Sequence, residues 1–486
     1  MLTMALAAMD ATIVATAVPS IVEDLGGFSL FPWMFSVYLL LQAVSTPIYG
    51  KLSDQYGRKP VIMAGAAIFL TGSLLCGLAW SMVALIVFRG VQGLGAGAIQ
   101  PITQTIVGDL YSVRERASVQ GYIASVWGVS AVIGPAIGGL LSQYASWHWL
   151  FLVNIPVGLV ALYMLANNFH ESVHRVERRI DYAGAMLLMI GLSLVILVLL
   201  QVTEWGLTSP PTIVLAITGP LLLVVFVVVE RRAAEPVLPF WVFRIRPLLA
   251  ANLGTLGLGM IMMALTTYLP VFAQEVMRQP PVVAGFTLAS MSVGWPLASS
   301  LSARLYLRIG FRNTAMLGLT VAGISGLLFL QLTASSSPVQ AALSSFVTGC
   351  GMGLSTTSFI VGVQSLVDWQ RRGTATGSNM FARLVGGALG VAIYGSIVNS
   401  TLASRLSEAS ARISADLDSP SSISSALREG AQLPRGVGEL VRSSLFSGIH
   451  RVFLGIVVAA ALALAVQLTL VKRADYTTVG MSSEKE

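Results

Sequence analysis

The sequence predicts an all-α polytopic membrane protein, with fourteen transmembrane helices arranged as two parallel six-helix bundles and an inserted helix pair. Three observations predict it. Of 486 residues, 55% are hydrophobic and 10% charged, where a soluble domain carries roughly 25% charged residues. Apolar runs with at most one charge, near the ~20 residues that a bilayer crossing needs, recur fourteen times. The sequence also repeats itself at about half its length. These numbers argue against a soluble enzyme and exclude disorder. The 47 glycines and 20 prolines suit membrane helices, where small residues let backbones approach. Cys76 and Cys350 sit in apolar runs and suggest neither a disulfide framework nor a zinc site.

The runs lie near 2–21, 33–50, 61–79, 83–107, 117–141, 149–168, 182–201, 212–229, 247–271, 283–303, 313–333, 339–362, 376–398 and 447–471. An even number puts both termini on one side, and the basic residues choose that side. Assigning the connections after every second run, with the C-terminus, to the cytoplasm gathers 20 of the 29 lysines and arginines there. The short outer connections then hold only Arg278. Arg89 and Arg383 fall inside runs. Six more arginines lie in or border the Ser-rich segment 399–446, read as a long extracytoplasmic loop that escapes the charge rule. The net charge of +7 is thus explained without a nucleic-acid partner. The first run has no basic n-region and no small-residue cleavage site, so it reads as a span and not a signal peptide. Its abrupt start, nine residues before Asp10, is that of a misassigned or trimmed terminus.

A shift of 256 lays Gly93, Gly95 and Gly97 on Gly349, Gly351 and Gly353, Arg116 on Arg372, Gly121 on Gly377, and Gly134 and Gly139 on Gly390 and Gly395. A shift of 253 lays 50–59 on 303–312, matching Gly57 with Gly310. The expected division is therefore a bundle at 1–168, an inserted pair with cytoplasmic linkers at 169–246, a second bundle at 247–471 containing the loop 399–446, and a cytoplasmic tail at 472–486. Parallel repeats of this kind characterise transporters that rock about a midplane site.

GKLSDQYGRKP (50–60) occupies a short cytoplasmic turn between the second and third runs. Gly50 and Gly57 permit close contact and a tight turn, Asp54 can cap a helix end, and Arg58 and Lys59 stay at the interface. The segment resembles motif A of the major facilitator superfamily. That resemblance implies that the aspartate latches the outward-open state against the opposite half; the alternative is a plain positive-inside anchor. The second copy has Leu307 where the aspartate would stand, so only the first copy should latch.

RGVQGLGAGAIQP (89–101) resembles motif B of the same superfamily. An arginine inside a span is costly unless it faces protein or water. Arg89 is therefore either a coupling residue, as the resemblance implies, or a structural arginine that snorkels to the inner interface or bonds backbone carbonyls. GVSAVIGPAIGG (128–139) resembles motif C, the antiporter signature, with Gly134, Pro135, Gly138 and Gly139 thinning and bending the helix. The second copy has Val391 in place of the proline. By resemblance this favours export; by itself it is only a bend.

MDATIVATAVP (9–19) and SWHWLFLVNIPVG (146–158) are similar to signatures of the 14-span drug:proton antiporter family, with His148 where that family has arginine. Asp10 is the one carboxylate deep inside a run, about 13 Å from the first residue, near the middle of a ~30 Å hydrocarbon layer. Hydrocarbon disfavours its charged form unless a cation faces it, which suits a group that takes up and releases a proton. Otherwise it caps a broken helix or pairs permanently with a basic group. Tyr38, Gln42, Gln92, Asn154, Asn252 and Gln364 are candidate cavity-lining residues, and Arg383 reads as structural.

The resemblance implies proton-coupled efflux of amphiphilic or lipophilic small molecules, such as drugs, across the cytoplasmic membrane by alternating access. Its partners would be the substrate, protons, the lipid bilayer and, in a host with an outer membrane, a periplasmic adaptor protein. Export of lipids or cell-envelope precursors, a proton-coupled importer and a non-transporting membrane sensor are the alternatives. There is no GxxxxGK[ST] phosphate loop, no TVGYG filter and no metal or triad constellation, so no enzyme activity, catalytic residue, cofactor or metal is expected.

Overall fold

In a computed structural model, residues 1–14, 18–26, 30–169, 171, 181–206, 208–233, 236, 239–413 and 435–471 are described. Among them every regular element is helical. In chain order these are α1 (Leu2–Ile13), α2 (Val18–Leu25), α3 (Phe31–Tyr56), α4 (Arg58–Gly77), α5 (Met82–Leu110), α6 (Val113–Tyr144), α7 (Trp149–Leu152), α8 (Asn154–Asn168), α9 (Tyr182–Trp205), α10 (Pro210–Glu230), α11 (Trp241–Arg244), α12 (Arg246–Val271), α13 (Pro281–Leu330), α14 (Pro338–Ser365), α15 (Arg372–Ile413) and α16 (Arg435–Leu470). A π-helical turn, Phe272–Val276, ends α12, and a 3₁₀ turn, Trp369–Arg371, leads into α15.

The polarity of this bundle is inverted relative to a water-soluble one. Exposed positions are apolar, such as Ile217, Leu221 and Leu462, while Gln92, Gln100, Gln104, Asn154, Asn379 and Gln364 are buried. Side chains of that kind on the outside need hydrocarbon around them, and helices satisfy their own backbone there. Among the described residues, nine helices are long and apolar enough to cross a membrane. The first predicted span is divided by residues 15–17, which lie outside the described set, and α13 counts once although it holds two predicted spans.

Two expected connections are not loops. The motif A segment is helical on both sides of a single residue, Gly57, whose φ of 95° ends α3 and opens α4. At the same point of the second copy, Gly310 (φ 83°) breaks an otherwise continuous α13. Both glycines take a left-handed conformation that a Cβ would oppose. The repeat extends to packing. Gly93 of α5 abuts the Tyr38 backbone, and Gly349 of α14 abuts that of Met291; Gly95 abuts Phe69 where Gly351 abuts Ala322. Each contact is related to its counterpart by the two sequence shifts.

The predicted loop 399–446 also needs correction. α15 continues to Ile413 and α16 begins at Arg435, because the flanking stretches are rich in Ala, Leu, Arg and Glu, good helix formers. Only 414–434 of that segment, with linker residues 172–180 and the tail 472–486, lie outside the described residues.

The largest contacts between the repeats are those of α3 on α15 and of α6 on α13; α5 also meets α15 and α14, and α6 meets α14. The helix pair α9–α10 lies on the first of these, with Leu187, Met189 and Leu192 packing among Ile48 and Val44 of α3 and Phe381 and Val385 of α15. A large apolar core fills the space between α12, α13, α14 and α16.

Candidate functional site

Asp10 is fully buried, and so is Arg89, at 0% and 1% exposure. Arg89 Nη1 donates to Asp10 Oδ2 at 2.6 Å and to Gln92 Oε1 at 2.6 Å. The other carboxylate oxygen accepts from Gln92 Nε2 at 2.8 Å and Asn154 Nδ2 at 3.2 Å. Ser73 Oγ accepts from both amides and donates to the Phe151 carbonyl. The Tyr38 ring lies 4.1 Å from the guanidinium carbon. α1, α3, α4, α5 and α8 thus contribute one side chain or more to this cluster, and α7 a backbone carbonyl. The i,i+3 spacing of Arg89 and Gln92 puts both on one face of α5.

Hydrocarbon-buried charges persist when they are paired and hydrogen-bonded; here both Asp10 oxygens and the Arg89 Nη1 are bonded, while the Arg89 Nε is left without a partner. Of the two alternatives for Arg89, it neither snorkels nor bonds backbone carbonyls, because a carboxylate and an amide are within reach. It lies seven residues from Met82, the first residue of α5. Protonating Asp10 would cancel the charge that holds Arg89, so this cluster can convert a proton into a change of helix contacts.

A second polar cluster occupies the other end of α5. Asp54, at the end of α3, accepts from Gly373 N at 2.8 Å, Thr374 N at 2.6 Å and Thr374 Oγ1 at 2.7 Å. These donors are the first turn of α15, whose unpaired N–H groups and dipole favour an anion. Burial pushes the Asp54 carboxyl up to about 6, while Arg58, Thr374 and Gly373 oppose that rise. The donors from α15 and the Arg58 guanidinium all favour its anionic form. Arg58 is buried and reaches Asp54 at 3.3 Å, Asp109 Oδ2 at 2.9 Å and the Trp369 carbonyl at 2.6 Å, with its guanidinium 3.9 Å over the Trp369 ring. Asp109 also accepts from Arg372 Nη1 at 3.0 Å, so one carboxylate joins arginines of both repeats. Glu171 caps α4 by accepting from the backbone N–H groups of Arg58 and Lys59, and Lys59 Nζ donates to Ala166 O at 2.6 Å.

The backbones here are in contact. A Cβ on Gly50 would lie 2.6 Å from the Gly373 carbonyl oxygen. Gly50→Ala is expected to force α3 and α15 apart at a cost of about 1–3 kcal/mol. Cross-linking yield between cysteines at Lys51 and Gln370 should fall several-fold, and an unchanged yield refutes the close approach. At the corresponding place in the second copy Leu307 is exposed, and the contact there is a Tyr306 phenol donating to the Val113 carbonyl.

Between these clusters, Gln364 of α14 donates to the Gln104 carbonyl at 2.8 Å, and Arg383 of α15 donates to Gln100 Oε1 at 2.9 Å. Asn252 pairs with Asn379 inside the second repeat, and Gln42 is buried at the α3–α5 contact. Of the six candidate lining residues, then, Tyr38, Gln92 and Asn154 gather at Asp10, and Gln42, Asn252 and Gln364 do not. Gly134 and Gly138 are buried in α6; the side chains at Pro135 and Gly139 lie outside the described set. A cleft of about 660 Å³ runs between α1 and α6, lined by Met1, Ala5, Met9, Tyr122, Val126 and Ile133 among others. Sequence reasoning missed Ser73, Asp109, Glu171 and Trp369. Asp109, an acid two residues from the predicted end of a span, was the only one with a signal.

Residues 1–391 match the Major Facilitator Superfamily. Multidrug resistance protein 3 of Bacillus subtilis (strain 168) is 32% identical over 99% of this chain and 95% of its own length. Multidrug transporter protein MdtP of the same organism is 32% identical over 81% of this chain and 73% of its own length. The crystal structure of the human organic anion transporter MFSD10 (TETRAN) superposes with a TM-score of 0.65 at 15% identity, covering 96% of this chain and 97% of that one, and this likeness bears on the fold alone. By sequence match, helical architecture and internal repeat, this chain belongs to the Major Facilitator Superfamily of transporters.

Proposed function

We propose that this protein exports amphiphilic or lipophilic small molecules in exchange for protons, by alternating access between its two repeats. One observation carries the reading: a fully buried carboxylate–guanidinium pair lies at one end of α5 and an inter-repeat latch at the other. Arg89 and Asp109 are separated by 20 residues of continuous helix, about 30 Å at 1.5 Å per residue, the thickness of a hydrocarbon layer. A proton arriving at Asp10 from one side is thus positioned to act on a closure at the other. The present arrangement, latched at Asp54, corresponds to a state closed on the motif A side.

In this reading the chain crosses the cytoplasmic membrane fourteen times with both termini inside, as bundles at 1–168 and 247–471 around the pair at 169–246. The names of the relatives supply the cargo class, because the likeness to a multidrug resistance protein runs over nearly the whole length. Asp10 and Arg89 couple the proton, Gly50, Asp54, Gly57, Arg58 and Lys59 form the latch, and Gly134, Pro135, Gly138 and Gly139 set the α6 contact. Only a proton and a cargo that bind the two states with different affinities can drive such a cycle.

The test is efflux of fluorescent dyes and antibiotics from a pump-deficient host. Expression should lower dye accumulation several-fold, and an uncoupler should abolish the difference; efflux indifferent to the uncoupler refutes proton coupling. The apolar cleft between α1 and α6 favours a second reading, export of lipids. Accumulation of a specific lipid in a deletion strain would select it.

A further inference from the structure

Four other buried or half-buried arginines near the inter-repeat contacts have their charge neutralised or bonded by carbonyls. Arg58 has Asp54 and Asp109, Arg372 has Asp109, Arg89 has Asp10, and Arg116 donates to the carbonyls of Gly108 and Tyr111. Arg383 differs. Among the described residues no carboxylate lies within 4 Å of it, and its one hydrogen bond is to the neutral amide of Gln100. It is half-buried, on a helix of the second repeat, and reaches across to α5 of the first.

Two rulers give its depth. Arg383 lies 11 residues into α15 from Arg372, and Gln100 lies nine residues before Asp109. These are about 16 and 14 Å from the Asp109–Arg372 pair, half of a hydrocarbon layer. One turn along α5 from Gln100, the Thr103 hydroxyl is buried and has no partner. A guanidinium has five donors, so a planar fork with donors to spare meets α5 at Gln100, one turn from an unsatisfied hydroxyl, at the depth where such transporters hold cargo.

We infer that Arg383, with Gln100 and Thr103, is a recognition site for an anionic group, a carboxylate, sulfonate or phosphate, on the molecules this protein exports. The inference rests on the efflux reading and narrows its cargo to amphiphiles that carry an acid. A cation half a bilayer deep is costly without a counter-charge, and a bidentate acid supplies one without burying a permanent acid that would cancel Arg383 between cycles. Departure of the cargo restores the exposed fork.

The test uses the full chain in lipid nanodiscs, titrated by tryptophan quenching with 1-pyrenebutyrate, its neutral methyl ester and ethidium. Wild-type protein should bind the acid about tenfold or more tightly than the ester, the value of one charged hydrogen bond. Arg383→Gln should erase that preference and leave ethidium binding within about twofold, while Arg383→Lys, a point charge without the fork, should retain only part of it. Equal wild-type affinity for acid and ester overturns the inference, even if Arg383→Gln fails to fold. A preference that survives Arg383→Gln also overturns it. Failure of the efflux reading looks different: wild-type proteoliposomes would move none of the three probes under an imposed pH gradient, and the inference would fall with it.

Discussion

Asp10→Asn is expected to abolish efflux driven by a pH gradient and also to destabilise the protein. The two effects have separate causes. Coupling is lost because asparagine cannot exchange a proton. Stability falls because Arg89, 1% exposed, keeps its charge with no anion beside it, and removing one partner of a buried pair costs about 3–5 kcal/mol. The double variant Asp10→Asn/Arg89→Gln removes both charges and should recover most of the lost thermal stability in detergent while leaving coupling absent. Full gradient-driven transport by Asp10→Asn would remove Asp10 from the mechanism. Equal stability of the single and double variants would show that the pair does not hold the cluster together.

The next largest effect belongs to Asp54→Ala. It takes the acceptor from two backbone N–H groups and a hydroxyl at the start of α15 and deprives Arg58 of one of its anions. Hydrogen bonds to a charged group contribute about 1.5–3 kcal/mol each. Even a net loss of about 3 kcal/mol moves a two-state equilibrium roughly a hundredfold. With the native cysteines replaced, spin labels at the exposed residues Tyr56 and Gln370 report the separation of α3 and α15. A single short distance in the wild type should give way to a longer one in Asp54→Ala. A distribution that does not move means that the latch contributes nothing to closure.

Much of the architecture could be read without coordinates. Apolar runs located the helices, because a bilayer imposes one length on every span. The glycine repeats also announced the packing: Gly93 and Gly349, related by the shift of 256, proved to contact the backbones of Tyr38 and Met291, related by the shift of 253. Connections were less legible. Gly57 and Gly310 carry turns only one residue wide, and charge alone cannot tell such a turn from a loop.

The sequence by itself determined that this chain is a helical, twice-repeated membrane protein, and which groups are too costly to bury without a reason: Asp10, Arg89 and Arg383. Tertiary structure alone decided what each of them meets. Asp10 and Arg89 are 79 positions apart, and helix phase over such a separation is not additive along a chain with breaks at 26, 57 and 78–81. The partners of Asp54 are largely backbone N–H groups, which every residue except proline carries and which therefore leave no mark in the sequence. That Arg383 faces an amide and not an acid is a property of the interface between repeats, set by which faces of α5 and α15 pack together.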